Sequence, residues 1–230
     1  MERHRGNRLE TRPADGAPAM RVVSLNVSAG RVVEWHGHLI ETGIFKEPVT
    51  GRRRVGQLHI AGDRQVDRRF HGGEFKAVYA YSAEHYPWWQ RELGRVLPYG
   101  MFGENLTIEN FVEDDVFIGD EFRVGSALLQ AVQPRLPCFK LGIRFGDAGM
   151  VKRFMRSGRF GVYFRVLEEG DVGVGDAVIA EQRDPVGIAV RALAMLLNPA
   201  RFDPLTVRRV LDLPALPPEW RERLSEYLER

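Results

Sequence analysis

From residue 20 onward the chain alternates short apolar runs with polar breaks marked by glycine. The run Arg21-Val22-Val23-Ser24-Leu25-Asn26-Val27 opens this pattern and predicts a first strand, so the folded part is expected to begin at Met20. Further strands are predicted at 55–60, 77–81, 116–118, 121–124, 127–132, 161–167 and 177–180. The pairs Gly119-Asp120 and Gly175-Asp176 supply the turns before two of them. Many short strands at this spacing predict a closed or nearly closed barrel. Two helices interrupt it. One is capped by Ser82, carries Pro87 early and stops at Gly94; the other covers about 148–156 and stops at Gly158.

The period changes after about residue 184. A helical run over 186–197 ends at Asn198-Pro199, and Asp203-Pro204 reads as an N-cap with proline at the first helical position. Pro217-Pro218-Glu219 starts a third helix running to about Leu228. Three short helices bury too little surface to stand alone, so they are expected to dock on the barrel. The expected organisation is therefore a disordered tail over 1–19, which is polar and rich in Arg, Gly and Pro, then a β-barrel over 20–184 and a three-helix unit over 185–230. The fold class is α+β, mainly β.

Composition narrows the chemistry by exclusion. The formal charge of +2 is too balanced to argue for nucleic acid as a partner. The chain has no apolar run long enough for a membrane span and no secretory h-region. One cysteine rules out an internal disulfide and suits a reducing cytoplasm. Arg52-Arg53-Arg54 reads as a solvated turn. Among the histidines, His36 and His38 read as solvated around Gly37, His59 as a side chain off a strand, and His85 as part of a packed face with Trp88 and Trp89. His71, before Gly72-Gly73, is the histidine kept as functional.

Three polar segments break the apolar pattern, 41–49 and 62–76, which bear glycines, and 133–140, which bears two prolines. Glycine lets backbone approach a ligand, and Lys, Arg and His around it donate to an anion. Only four of the 33 basic residues are lysines, and three of them, Lys46, Lys76 and Lys140, fall in these segments. Cys138 follows Pro137 and lies between Arg135 and Lys140 at the exit of a predicted strand. Cations favour the thiolate, which is both nucleophile and soft metal ligand. An inert buried thiol and a reactive or ligating one both remain open on these grounds.

Taken in order, the segments resemble the YiiM-type MOSC family, a branch of the molybdenum cofactor sulfurase C-terminal domain family. The matching pieces are residues 20–27, Thr42-Gly43-Ile44 with Lys46, Gly62-Asp63 through His71-Gly72-Gly73, and Lys76-Ala77-Val78-Tyr79-Ala80-Tyr81. To these are added Glu84-His85-Tyr86, Phe102-Gly103-Glu104-Asn105-Leu106, the stretch around Cys138, Ser157-Gly158-Arg159 and the helical tail. The resemblance implies a barrel like that of pyruvate kinase, and a molybdenum–pterin cofactor rather than pyridoxal phosphate. It implies Cys138 as the molybdenum ligand. Thr42, Lys46, Gln65, His71, Gly72, Gly73, Lys76, Asn105, Arg135, Arg144 and Arg159 are the implied cofactor contacts, and Asp63 (or Asp67) and His71 would orient cations or manage protons.

The implied activity is molybdenum-dependent reduction of N-hydroxylated bases, such as 6-hydroxylaminopurine, to amines. An external reductase would supply the electrons to a cytoplasmic monomer or homodimer. A non-catalytic cofactor carrier, or a protein moving sulfur as a Cys138 persulfide, fits the same residues. The sequence departs from the family pattern at Arg68-Arg69, where small or acidic residues are usual.

Overall fold

The computed structural model describes residues 18–66, 72–197 and 203–229. Most of the predicted tail, the segment Asp67, Arg68, Arg69 to His71, and Asn198-Pro199 lie outside them. Strand β1 is Arg21–Val27, as the apolar run predicts. Strands β2 (Arg31–Trp35) and β3 (His38–Thr42) form a hairpin in a stretch that the pattern had left as loop. Its polar composition hid it. The reason for its turn is visible in the backbone: His36 and Gly37 both take positive φ, the geometry that matches strand twist in a two-residue hairpin.

Strands β4 (Glu47–Pro48), β5 (Arg53–Val55), β6 (Val78–Ser82) and β7 (Leu106–Glu109) follow, then β8 (Glu121–Val124) and β9 (Ala127–Pro134). Strands β10 (Val162–Glu168), β11 (Gly170–Val172) and β12 (Val178–Gln182) complete the set. Two expected strands are corrected. The segment 55–60 folds back on itself, leaving a Val55–Ile60 bridge, and 116–118 contributes only the bridge Phe117–Ala189.

Eight strands form one sheet in the order β12-β8-β9-β10-β6-β7-β1-β4. Strands β6 and β7 pair in parallel, as a crossover containing a helix requires. The ladder is open rather than a closed barrel, but it curls until its ends meet. Arg21 bridges Ala177, Val178 N–H donates to Met20 C=O at 2.9 Å, and Val22 N–H donates to Asp176 C=O at 2.9 Å. Register shifts in β1, β10 and β12 add the local twist that such curling needs.

Helix α1 (His85–Leu93) stops at a left-handed Gly94, and Pro87 sits in its first turn where it costs no hydrogen bond. Its cap is Glu84 rather than Ser82, which closes β6. Helix α2 (Phe139–Phe145) begins directly after Cys138 and was not predicted; α3 (Met150–Ser157) ends on Gly158 as expected. Helix α4 (Val190–Met195) is shorter than its apolar run. Helices α5 (Pro204–Leu211) and α6 (Pro218–Leu228) begin at the predicted prolines. The Asp203 side chain accepts from the backbone of Leu205 and Thr206, satisfying two orphan donors of α5. Among the described residues, no helix is long and apolar enough to cross a membrane.

Strand β6 shows how the core divides. Val78 and Ala80 point into the sheet interior, while Tyr79 and Tyr81 enter an aromatic cluster with Trp89, Phe102, Phe145 and Phe154 under α1, α2 and α3. The interior also takes up Leu193, Val207, Val210, Leu213, Trp220 and Leu224 from α4, α5 and α6. The C-terminal helices thus share one hydrophobic core with the sheet. Leu224→Ala is expected to cost about 2–5 kcal/mol. Urea unfolding followed by tryptophan fluorescence and by far-UV circular dichroism should show one coincident transition at a lower midpoint. Separate transitions for helices and sheet would contradict the shared core.

Candidate functional site

Strand β9 is buried along its whole length and ends at Pro134, followed by Arg135-Leu136-Pro137. Proline cannot continue a ladder, so the chain leaves the sheet there and sets Cys138 in extended conformation at the start of α2. The thiol is half-buried. Around it lies a cleft of about 680 Å³ built from six separate stretches of chain. The end of β3 brings Thr42, Gly43 and Lys46, the loop after Ile60 brings Asp63, Arg64 and Gln65, and a single 3-10 turn brings Lys76. Tyr79 comes from β6, Asn105 from the approach to β7, Tyr163 from β10, and Arg135, Leu136 and Lys140 from the cysteine's own segment.

Close backbone approach explains the glycine between Thr42 and Ile44. A Cβ at Gly43 would lie 2.5 Å from the Arg64 carbonyl oxygen, so only glycine lets these two loops meet. Below them lies a buried polar network. The Lys46 ammonium pairs with Asp63, whose carboxylate also accepts from Asn105 Nδ2 at 3.0 Å and from the Ser28 backbone N–H at 2.9 Å. Asp63 therefore does more than turn the chain: it ties three loops to one carboxylate. Burial pushes the Lys46 pKa down, against the opposing pull of Asp63.

Arg135 is the second buried cation, 6% exposed. Its guanidinium lies 5.4 Å from the Tyr79 ring centre and 5.2 Å from that of Phe154, and its Nη1 is buried with no hydrogen-bond partner among the described residues. Burial opposes its charge, but Tyr79, Tyr163 and the Cys138 sulfur hold its pKa above the ordinary arginine value. A buried donor without a partner costs stability unless a ligand or water meets it. Burial also raises the Tyr163 pKa, while Arg135 works against that rise.

Of the residues singled out in the sequence, the cleft gathers Cys138, Asp63, Thr42, Lys46, Gln65, Lys76, Asn105 and Arg135. Gln65 spans the neighbouring loop, donating to Leu58 C=O at 2.6 Å and Lys76 C=O at 3.1 Å and accepting from Gly73 N–H at 3.3 Å. Gly72 and Gly73 do not line the cleft, and His71 lies outside the described residues. Arg144 stands behind the wall, donating to Lys46 C=O at 3.4 Å with its guanidinium 5.1 Å from the Phe45 ring centre. Arg159 sits 4.0 Å over Trp88 in a different cleft, with His85 and Glu113, and not beside Cys138.

The sequence had not singled out Tyr79, Tyr163 or Arg64 as part of this wall. Tyr163 reaches it because β10 places it opposite Gln133, a register no linear pattern contains. Glu104 is another buried group the sequence left unassigned. It accepts from Tyr86, from the Gly100 and Phe102 backbone N–H groups and from Thr107, and so fixes the turn beside Asn105.

The MOSC domain family model matches residues 67–179. The protein YflK of Bacillus subtilis is 41% identical over 210 residues, covering 91% of this chain and 95% of that protein. The crystal structure of YiiM from Geobacillus stearothermophilus superposes with a TM-score of 0.77 at 33% identity, covering 91% of this chain and 99% of that one. A protein of Gibberella moniliformis named reductase is 35% identical over 175 residues, spanning 74% of this chain but 31% of its own length.

Two expectations follow from the buried network. Asp63→Ala strands Lys46 without its counter-charge and should cost about 3 kcal/mol. Adding Lys46→Met should recover part of that loss, and a urea-based double-mutant cycle with no coupling between the two would contradict the pairing. Burial raises the Glu104 pKa, despite the hydrogen bonds that pull it down. Above about pH 4.3, the ordinary glutamate value, the unfolded chain releases this proton before the folded chain does. Stability should therefore fall as pH rises from there through the raised folded value. In Glu104→Gln that part of the pH dependence should vanish, as measured by urea midpoints across the range.

Proposed function

This chain belongs to the MOSC family, and we propose that it binds a molybdenum–pterin cofactor at Cys138 and reduces N-hydroxylated bases, such as 6-hydroxylaminopurine, to amines. One observation carries the reading: a half-buried thiol shares a cleft with Lys46, Arg64, Lys76, Arg135 and Lys140, and Arg135 keeps a buried donor that has no partner among the described residues. That donor set fits the group. A soft thiolate suits molybdenum in a sulfur-rich environment, and the cations suit a phosphate-bearing pterin. The reductase named among the relatives supports an oxidoreductase reading in the same direction.

Each residue has a distinct part. Cys138 would supply the thiolate ligand. Arg135 Nη1 would donate to an anionic oxygen, gaining the hydrogen bond it otherwise lacks. Lys46 is already oriented by Asp63 and needs no reorganisation to hold charge at the cleft wall. Thr42 keeps the adjoining loop tight by accepting from the Ile44 N–H at 3.2 Å. When bound, the cofactor supplies oxygen removal from nitrogen, in which R–NHOH, two electrons and two protons give R–NH2 and water. The electrons come from an external reductase.

Protein produced in a host that makes the cofactor should carry molybdenum in near-stoichiometric amount and, with a reductase, should convert 6-hydroxylaminopurine to adenine. Cys138→Ala should lose at least about tenfold in bound molybdenum with little change in the urea midpoint. Molybdenum retained in that variant would overturn the ligand assignment. Molybdenum bound by the wild type without turnover would leave a carrier instead of a reductase.

A further inference from the structure

Cys138 faces two clefts. Besides the cationic one, a second cleft of about 810 Å³ opens between the sheet and helix α6, and the two share Lys76, Leu136, Cys138 and Tyr163 as a common wall. Its remaining lining comes from Gln133 and Pro134 at the end of β9, from Pro137, and from Glu219, Trp220 and Arg223 of α6. Helix geometry puts Glu219 and Arg223, four residues apart, on one face.

The placement of α6 is fixed at several points. The Trp220 indole N–H donates to Gln133 Oε1 at 2.8 Å, and Lys76 Nζ lies 2.7 Å from Glu219 Oε1. Trp220 is 3% exposed and Glu219 is half-exposed at the rim. The cleft therefore has an apolar side of Pro134, Leu136, Pro137 and Trp220, and a rim with one carboxylate and one guanidinium.

We infer that this second cleft is the substrate subsite, and that it takes a flat, uncharged, N-hydroxylated heteroaromatic ring whose edge is read by Glu219 and Arg223. The inference rests on the reading that the cofactor occupies the cationic cleft. Charge separates the two clefts. Among the described residues, Lys46, Arg64, Lys76, Arg135 and Lys140 line the first with Asp63 as the acidic side chain of that lining; Arg64 also pairs with Glu41 and Lys76 with Glu219, yet cations stay in excess, which favours an anionic occupant. In the second, Lys76 is matched by Glu219, so a phosphate there would meet a carboxylate. Proline, leucine and indole surfaces suit a planar ring, while the rim groups pair with its donors and acceptors. Because the sulfur borders both spaces, a ring in the second cleft and a cofactor in the first meet at Cys138. Helix α6 thereby becomes half of a binding site.

Molybdenum-loaded Glu219→Gln and Arg223→Ala proteins test this, since both side chains lie at the surface of α6. Adenine, the amine product, serves as an equilibrium probe by calorimetry, with AMP as a second probe. Loss of one charged hydrogen bond should weaken adenine binding roughly tenfold in each variant and raise KM for 6-hydroxylaminopurine in step. In Arg223→Ala molybdenum content and urea midpoint should match the wild type, whereas Glu219→Gln also loses its ion pair with Lys76 and its adenine affinity is read per molybdenum bound; AMP should bind no more tightly than adenine.

Unchanged adenine affinity in both variants would overturn the inference. So would no measurable adenine binding by the loaded wild type, or tighter binding of AMP than of adenine. A loaded wild type that binds adenine without reducing the N-hydroxylated base would sink the reductase reading alone, because the binding measurements still decide the subsite.

Discussion

Strand β9 has no face open to water, and much of the molecule is arranged by that constraint. A strand buried on both sides must satisfy its backbone through neighbours and cover both rows of side chains. Strands β8 and β10 pair with its two edges, and α4 packs against it. Its buried glutamines are satisfied from outside the strand. Gln130 accepts from Arg165, and Gln133 accepts from Trp220 and donates to Phe75 C=O. The same strand ends at Pro134, and the irregular segment that follows, with a second proline at 137, presents Arg135 and Cys138. A rigid, fully buried element thus aims the thiol, which is a more exact support than a free loop offers.

The cleft concentrates positive charge where water is partly excluded, and the fold offsets this with carboxylates set below the surface. Asp63 answers Lys46 directly, and Glu104 holds the adjacent turn while lending the region a further acidic group. Arg135 has aromatic rings instead of a carboxylate beside it, so one donor stays unpaired. That difference matters. A carboxylate at Arg135 would compete with an incoming anion, whereas a ring face stabilises the cation without occupying its N–H groups.

The C-terminal helices join this arrangement through shape as well as stability. Their apolar residues complete the interior of the sheet, so they cannot be counted as a separately folded tail. Their last member also walls the space on the far side of the cysteine. Lys76 stands at the junction, bordering both clefts and paired with Glu219, so the position of α6 and the charge of the cationic cleft are coupled through one side chain.

Local chemistry made much of this legible in the linear chain. The apolar run of β1, the left-handed glycines ending α1 and α3, and the Asp203-Pro204 cap are decided by neighbours within a few residues, and they appear where the pattern places them. The loops carrying Lys46, Asp63 and Lys76 were visible as glycine-marked polar breaks, and Cys138 with Arg135 and Lys140 as a proline-marked one. The hairpin β2–β3 and the short helix α2 were not, because they rest on turn geometry and context rather than on apolar period. Tertiary structure alone decided that Tyr163 stands beside Cys138, that Arg159 does not, and that the curled sheet meets its own first strand through the Arg21–Ala177 bridge and a few backbone hydrogen bonds. Those outcomes depend on strand register and on the curvature of the sheet, which arise only when segments far apart in sequence compete for the same buried space.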